Sequence, residues 1–478
     1  MSRFLDLVRA ELPDRAVVTD RDAIAPWLTD WRGRYRGEAL ALVEPATVAE
    51  VAATVRAAAA TRTPLVPQGG NTGMVGGATP DAEGRAAILS LRRLNRIRSL
   101  DGEANVAVAE AGVVLQALND AALERGRRFP LTLGARGSAT VGGLVSTNAG
   151  GTQVLRFGTM RGLVRGVEAV MADGTVHHGL AALPKDNRGY SLDQLLIGAE
   201  GTLGIVTAAA LRLVPAVTGR AVAWVGLASP ETAMALLRRA QARTDVVESF
   251  EILPDGSLRA VLAHLPGARA PLRRAHPWHV LVEATSTDER EKAPAALLER
   301  LLGEALEDGL ADDAVIAASE AQADAFWTIR DSISAAERAL GPATQHDISV
   351  PVPAMPRFMV DAARACESRF PGTHASGFGH LGDGNVHFHV RAPAGIDADR
   401  WYVEDAPVVT RFVHDLVTAA GGSISAEHGI GQMKRDELAR LLPPARLHAM
   451  RSIKDALDPL GILNPGKLVP LAPGRPGP

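Results

Sequence analysis

The chain has 478 residues, with 51 Lys+Arg against 54 Asp+Glu, a formal charge of −3, 46% hydrophobic and 22% charged residues. That length predicts two or three domains, and the apolar share is enough for large cores, which excludes a mainly disordered chain. The near-neutral balance argues against nucleic acid as the main partner, and the single cysteine, Cys366, excludes intrachain disulfides, CxxC redox chemistry and Cys-rich zinc sites.

The N-terminal MSRFLDLVRAELPDR alternates charged and apolar residues at helical spacing and lacks the apolar core of a secretory signal. No window approaches the roughly 18 apolar residues of a membrane span, so a cytoplasmic chain without a transmembrane segment is expected. Residues 47–60 predict an amphipathic helix, TPLVPQ a short buried strand, and GGNTGMVGG a glycine-rich loop. The stretch 86–116 alternates short strands and turns. A helix then runs to Gly126, and a second Gly/Ser/Thr-rich loop covers 134–152. Residues 162–176 predict two strands around a DG turn, and a helix follows near 191–197. From about 218, strands such as AVAWVGL and HVLVEAT alternate with long Ala/Leu/Arg/Glu helices, an α+β pattern with an antiparallel sheet. The predicted boundaries are 1–217, 218–420 and 421–478. Cys366, in the helical pattern ARACESRF, reads as a buried inert thiol.

Loop one comprises Pro67, Gln68, Gly69, Gly70, Asn71, Thr72 and Gly73, and continues to Gly76 and Gly77. Loop two carries Gly137, Ser138, Thr140, Gly142, Gly143, Thr147, Asn148, Gly150 and Gly151. Glycine permits positive φ and close backbone approach, so successive N–H groups can converge on an anion. Ser, Thr and Asn add neutral donors, which suits a pyrophosphate. Neither loop is a Walker loop and neither is a proper GxGxxG, so a flavin dinucleotide on a fold other than the Rossmann type fits better than a nicotinamide.

A second concentration of chemistry lies late in the chain. In Asn385–Val390 the alternation puts Asn385, His387 and His389 on one face of a strand and Val386, Phe388 and Val390 on the other. The Gly382-Asp383-Gly384 turn can return His380 to the same place, and a carboxylate such as Glu427 can complete a divalent metal site. Asp383, set between glycines, reads as a turn residue.

Both loops, with GAEGTLGIVT at 198–207 and LNPGK at 463–467, resemble the vanillyl-alcohol-oxidase/p-cresol-methylhydroxylase family of FAD-binding proteins. The resemblance spans nearly the whole chain. It implies an α+β fold: a two-subdomain FAD-binding domain, an α+β substrate (cap) domain with an antiparallel sheet, and a C-terminal helical segment returning to the FAD domain. It also implies that the loop residues above, with Glu200, Gly201, Gly204, Ile205, Val206 and Asn464, contact the cofactor. Asn71 stands where some members carry a histidine that bonds the flavin, which predicts non-covalent FAD.

The segments GHLGDGNVH and Glu427-His428 resemble the D-2-hydroxyacid dehydrogenase branch, which includes the D-2-hydroxyglutarate and D-lactate enzymes. This implies His380, His387 and Glu427 as metal ligands (zinc first, with manganese, iron or cobalt open) and His428 as the base. It implies Arg330, Ser334, Gln345 and His389 at the substrate. His389 replaces an asparagine, which leaves open whether it contacts substrate or adds a metal ligand, and Gln345 replaces a lysine typical of the hydroxyglutarate enzymes, so the acid stays open between D-2-hydroxyglutarate and D-lactate or glycolate. An electron-transfer flavoprotein or a quinone is the implied acceptor, and a homodimer is a family-level expectation. A flavin-free metallohydrolase and a non-catalytic flavin-binding subunit are the readings from other classes.

Overall fold

A computed structural model of the chain describes residues 2–183, 185–288 and 293–470. Two compact units emerge. One comprises the chain to Gly150, Gly158–Ala216 and the part from Glu427 onward; the other comprises Gly151–Phe157 and Val217–Ala426.

In the first unit, the helix Val48–Thr61 begins at Thr47, whose hydroxyl accepts the Glu50 N–H, and ends at Arg62 in the left-handed conformation. It packs on a small sheet in which Ala41–Val43, Ala87–Ser90 and Leu65–Gln68 run parallel. These strands are apolar on both faces, as parallel strands under helices must be. A second, antiparallel sheet orders Ile97–Asp101, Val106–Glu110, Ile205–Arg212, Val164–Val170 and Val176–His178. The stretch expected as loop two contains a helix, Val141–Thr147. Its Val141, Leu144 and Val145 are buried, and Asn148 at φ 50 closes it. The two glycines within it mask the apolar spacing.

The second unit is built on a seven-stranded sheet, all its pairings antiparallel. Its central strands Gly219–Leu227, Trp278–Ser286 and Val247–Pro254 continue through His374–His380 and Asn385–Arg391 to Ala343–Ser349. Helices cover both faces. Pro230–Gln241, Ala293–Glu307, Met355–Arg369 and Ala406–Ala419 form one core with Val386, Phe388 and Val390. Asp255–His264, Glu320–Asp331 and Ile333–Ala339 cover the other face through Trp224, Phe326, Ile329 and Phe378. The excursion 151–157 belongs here because Arg156 donates to the fully buried Glu248 (2.8 Å) and to Thr285, and Ser249 donates to the Thr152 carbonyl.

Candidate active site

In the first unit, three separate segments meet through close contacts that only glycine allows. A Cβ on Gly70 would lie 1.9 Å from the Ser138 carbonyl oxygen, and one on Gly69 would lie 2.2 Å from Thr140 Oγ1. A Cβ on Gly201, whose φ is +71°, would strike the Pro67 ring at 2.4 Å. Asn464 closes the arrangement: its Nδ2 donates to the Gly77 carbonyl at 2.9 Å and to the Glu200 carbonyl at 2.7 Å. Gln68 donates to the Trp27 and Ala78 carbonyls, and Asn71, at φ 53, donates to the Thr29 carbonyl.

Gly73 and Gly137 face open space, as a cradle for a ligand requires. Thr140 Oγ1, Gln68 Oε1 and Asn464 Oδ1 are buried and have no hydrogen-bond partner among the described residues. Buried polar atoms of this kind demand a partner. Neutral oxygens and exposed loop amides are the donor and acceptor set a dinucleotide uses, so the residues fit FAD.

The remaining loop-two residues divide by role. Gly142 lets the helix approach Ala111, where a Cβ would lie 2.7 Å from the alanine Cβ, and Thr147 donates to the Gly143 carbonyl. Asn148 Oδ1 accepts the Arg161 N–H. Gly150 ends the first unit's segment and Gly151 begins the second's. Gly204 permits close packing on Leu196, and Ile205 and Val206 open a buried strand.

The Glu427–Met433 segment is fastened to the same loops. Val75 accepts from the Gln432 and Met433 N–H groups, and Gln432 Nε2 donates to the Gly76 carbonyl at 2.9 Å. The buried Glu200 carboxylate accepts the Ile430 and Gly431 N–H groups, both at 2.7 Å. Burial raises the Glu200 pKa, against those two N–H groups and the charges of Lys434 and Lys467. Lys467 is itself brought down to about 8 by burial. The Glu200 side chain thus holds the loop that follows His428. Glu427 and His428 are half-buried, with ligand atoms within 4.8 Å of each other.

In the second unit, His380 and His387 present ligand atoms within 4.8 Å of each other, with ring centroids 5.5 Å apart. His380 is held by Glu251, whose Oε1 lies 2.6 Å from Nδ1. That contact orients the ring as a carboxylate behind a ligating histidine does, and Arg330 Nη2 lies 3.3 Å from Nε2. Glu251 is 1% exposed, and Arg330 Nε donates to its other oxygen at 2.8 Å. Burial pushes the Glu251 pKa up, but the Arg330 and His380 charges outweigh burial and hold it below the usual range. Two imidazoles backed by a buried carboxylate fit a borderline divalent ion.

Along the same strand face, His389 Nδ1 lies 2.5 Å from Glu337 Oε2, and Ser257 donates to Glu337 Oε1 at 2.6 Å. Gln345 is the direct cross-strand partner of His389, and Ser334 is half-buried on the helix that carries Glu337. Asn385 donates to Asp347, and Asp383 accepts the Asn385 N–H as a turn residue would.

Glu251 and Glu337 escape sequence reasoning. The signal for Glu251 is present: a carboxylate between Phe250 and Ile252 in an apolar strand implies a buried charge that needs a partner. Glu337 sits in an Ala-rich helix and carries no such mark.

Residues 39–179 match a family model described as an FAD binding domain, and residues 218–468 match the C-terminal domain of FAD linked oxidases. A D-2-hydroxyglutarate dehydrogenase of Xanthomonas citri pv. viticola is 38% identical over 98% of this chain and 96% of its own. The mitochondrial D-2-hydroxyglutarate dehydrogenase of Arabidopsis thaliana is 37% identical over 98% of this chain and 82% of its own. A crystal structure of p-cresol methylhydroxylase with substrate bound aligns at a TM-score of 0.75 and 16% identity, covering 97% of this chain and 96% of that one.

Proposed function

The chain belongs to the FAD-linked oxidases, and from that membership we propose that it oxidises a D-2-hydroxy acid to the 2-oxo acid with FAD as oxidant. The observation that carries the reading is a single stretch of chain. Ala426 donates its N–H to the Asp347 carbonyl at 3.4 Å, in the sheet that bears His380 and His387. One peptide bond later begins the Glu427–Met433 segment, which is bonded to loop one and Glu200. A flavin-free hydrolase leaves both glycine loops without a task.

FAD, when bound, would supply the hydride acceptor for the substrate Cα–H, and a divalent ion would supply the charge that lowers the pKa of the substrate hydroxyl. His380, His387 and Glu427 would hold that ion, zinc by donor type. His428 takes the hydroxyl proton on an imidazole nitrogen, a contribution of about 10²- to 10⁴-fold. Arg330 neutralises Glu251 and shares His380, so it fixes the ligand as well as facing the acid. Loss of the Cα–H as hydride and the O–H as a proton leaves the C=O of the product. Asn71 carries an amide, which is no nucleophile, and donates it to the Thr29 carbonyl, so the flavin would be held non-covalently. An electron-transfer flavoprotein or a quinone would be the electron acceptor.

The test is a panel of D- and L-2-hydroxy acids against a dye acceptor, with and without exhaustive chelation. D-specific turnover that falls with metal content is expected. An L preference, or activity independent of metal, would overturn the stereochemical or the metal reading respectively. Full turnover in His428→Ala would overturn the base.

A further inference from the structure

The cation expected at Gln345 is missing, and His346 does not replace it. His346 lies on the opposite face of the sheet, with Nδ1 3.0 Å from the Phe388 carbonyl, Nε2 3.3 Å from Thr410 and its ring 5.7 Å from His414. The strand Asn385–Arg391 nevertheless carries one more residue on the histidine face. Val386, Phe388 and Val390 are in the core, so Asn385, His387, His389 and Arg391 share the other side.

We propose that Arg391 receives the distal carboxylate of the substrate, so that the acid this chain oxidises is a dicarboxylic D-2-hydroxy acid. The inference rests on reading this face as the hydroxy-acid site. His389 stands about 7 Å and Arg391 about 13 Å along the strand from His387. A long arginine stem spans part of that gap. Its cross-strand partners leave room: Ala343 lies opposite Arg391 on one side, and Ser376 lies opposite His389 on the other.

Arg391 is half-buried, and its side chain makes no hydrogen bond or ion pair among the described residues. Its charge is nonetheless felt at Glu337, which burial raises but which His389, Ser257 and Arg391 together hold low. Both oxygens of Glu337 are engaged, by His389 and Ser257. Glu337 is therefore already committed to these two partners, and no ion pair among the described residues ties up the Arg391 guanidinium. Its partner on the third strand, His374, is paired with Glu367. An always-charged planar fork is the group that binds a carboxylate in two-point fashion.

The experiment compares D-2-hydroxyglutarate with D-2-hydroxybutyrate as substrates of the flavin-loaded full chain, in the wild type, Arg391→Met and Arg391→Lys. Arg391→Met is expected to lose about ten- to a hundredfold in kcat/KM on the dicarboxylate, chiefly through KM. Its loss on the monocarboxylate should stay within about twofold, and Arg391→Lys should recover most of the dicarboxylate activity. Glutarate should also inhibit the wild type at least about tenfold better than butyrate, a measurement that needs no variant. Equal losses on both acids, or a wild-type preference for the monocarboxylate, would overturn the role of Arg391. A wild type that oxidises neither acid would instead overturn the hydroxy-acid reading beneath it.

Discussion

Glu200 and Glu251 are both carboxylates with almost no exposure, and they respond to pH with opposite sign. Glu251 is held below its ordinary pKa by Arg330 and His380 in spite of burial. Its stabilisation is therefore complete above about pH 4.3 and is lost as pH falls toward its folded value. Glu200 is raised by burial, so the folded state favours its proton and the cost of ionising it grows as pH rises through its titration. Urea midpoints across the acid range should show Glu251→Gln flattening the acid limb. That variant leaves the Arg330 guanidinium buried without its carboxylate and should cost about 3–5 kcal/mol. It should also bind zinc about 10- to 100-fold more weakly, since the His380 ring loses its anchor. In Glu200→Gln only one oxygen remains to accept two N–H groups. Hydrogen exchange at Ile430 and Gly431 should quicken, with a stability loss of about 1–3 kcal/mol. Cys366 is buried with its thiol pushed up to about 12, and a thiol reagent should leave it unmodified until the chain unfolds.

At the scale of elements, the strand Asn385–Arg391 does two jobs through its two-residue period. Phe388 contributes to the core on one side while His387 and His389 line the polar side, each against the Phe378 ring. Phe388→Ala should cost about 3–5 kcal/mol in urea unfolding through the cavity it leaves. The glycine loops are constrained in a different way. Gly70→Ala would drive a methyl group into the Ser138 carbonyl and force the two loops apart. The purified variant should carry much less flavin by absorbance, and wild-type occupancy would show that the loop contact is dispensable. The strand alternation is readable from the sequence because period two survives any tertiary setting. The helix Val141–Thr147 is not, because glycines occupy two of its positions and its apolar side has only three residues.

For the whole molecule, the FAD-type loops and the imidazole pair belong to different units, each with its own core. Chelation should therefore abolish turnover while the flavin spectrum persists, and added zinc should restore the rate. Release of flavin on chelation would contradict this separation. No helix among the described residues is long and apolar enough to cross a membrane.

Local chemistry is legible in the order of residues alone. Glycine-rich loops with neutral donors, a strand with imidazoles on alternate positions and a Gly-Asp-Gly turn each constrain the backbone over a few residues, so their spacing carries the message. The partners are not legible there. Glu251 meets His380 across 129 positions, and Glu200 meets Ile430 across 230. Such pairings depend on sheet order and on which buried charge needs a counterpart, and only the folded chain decides them. The same holds for Arg391: its residue type and parity can be read from the sequence, but its value as a cation depends on Glu337 being already engaged by its neighbours.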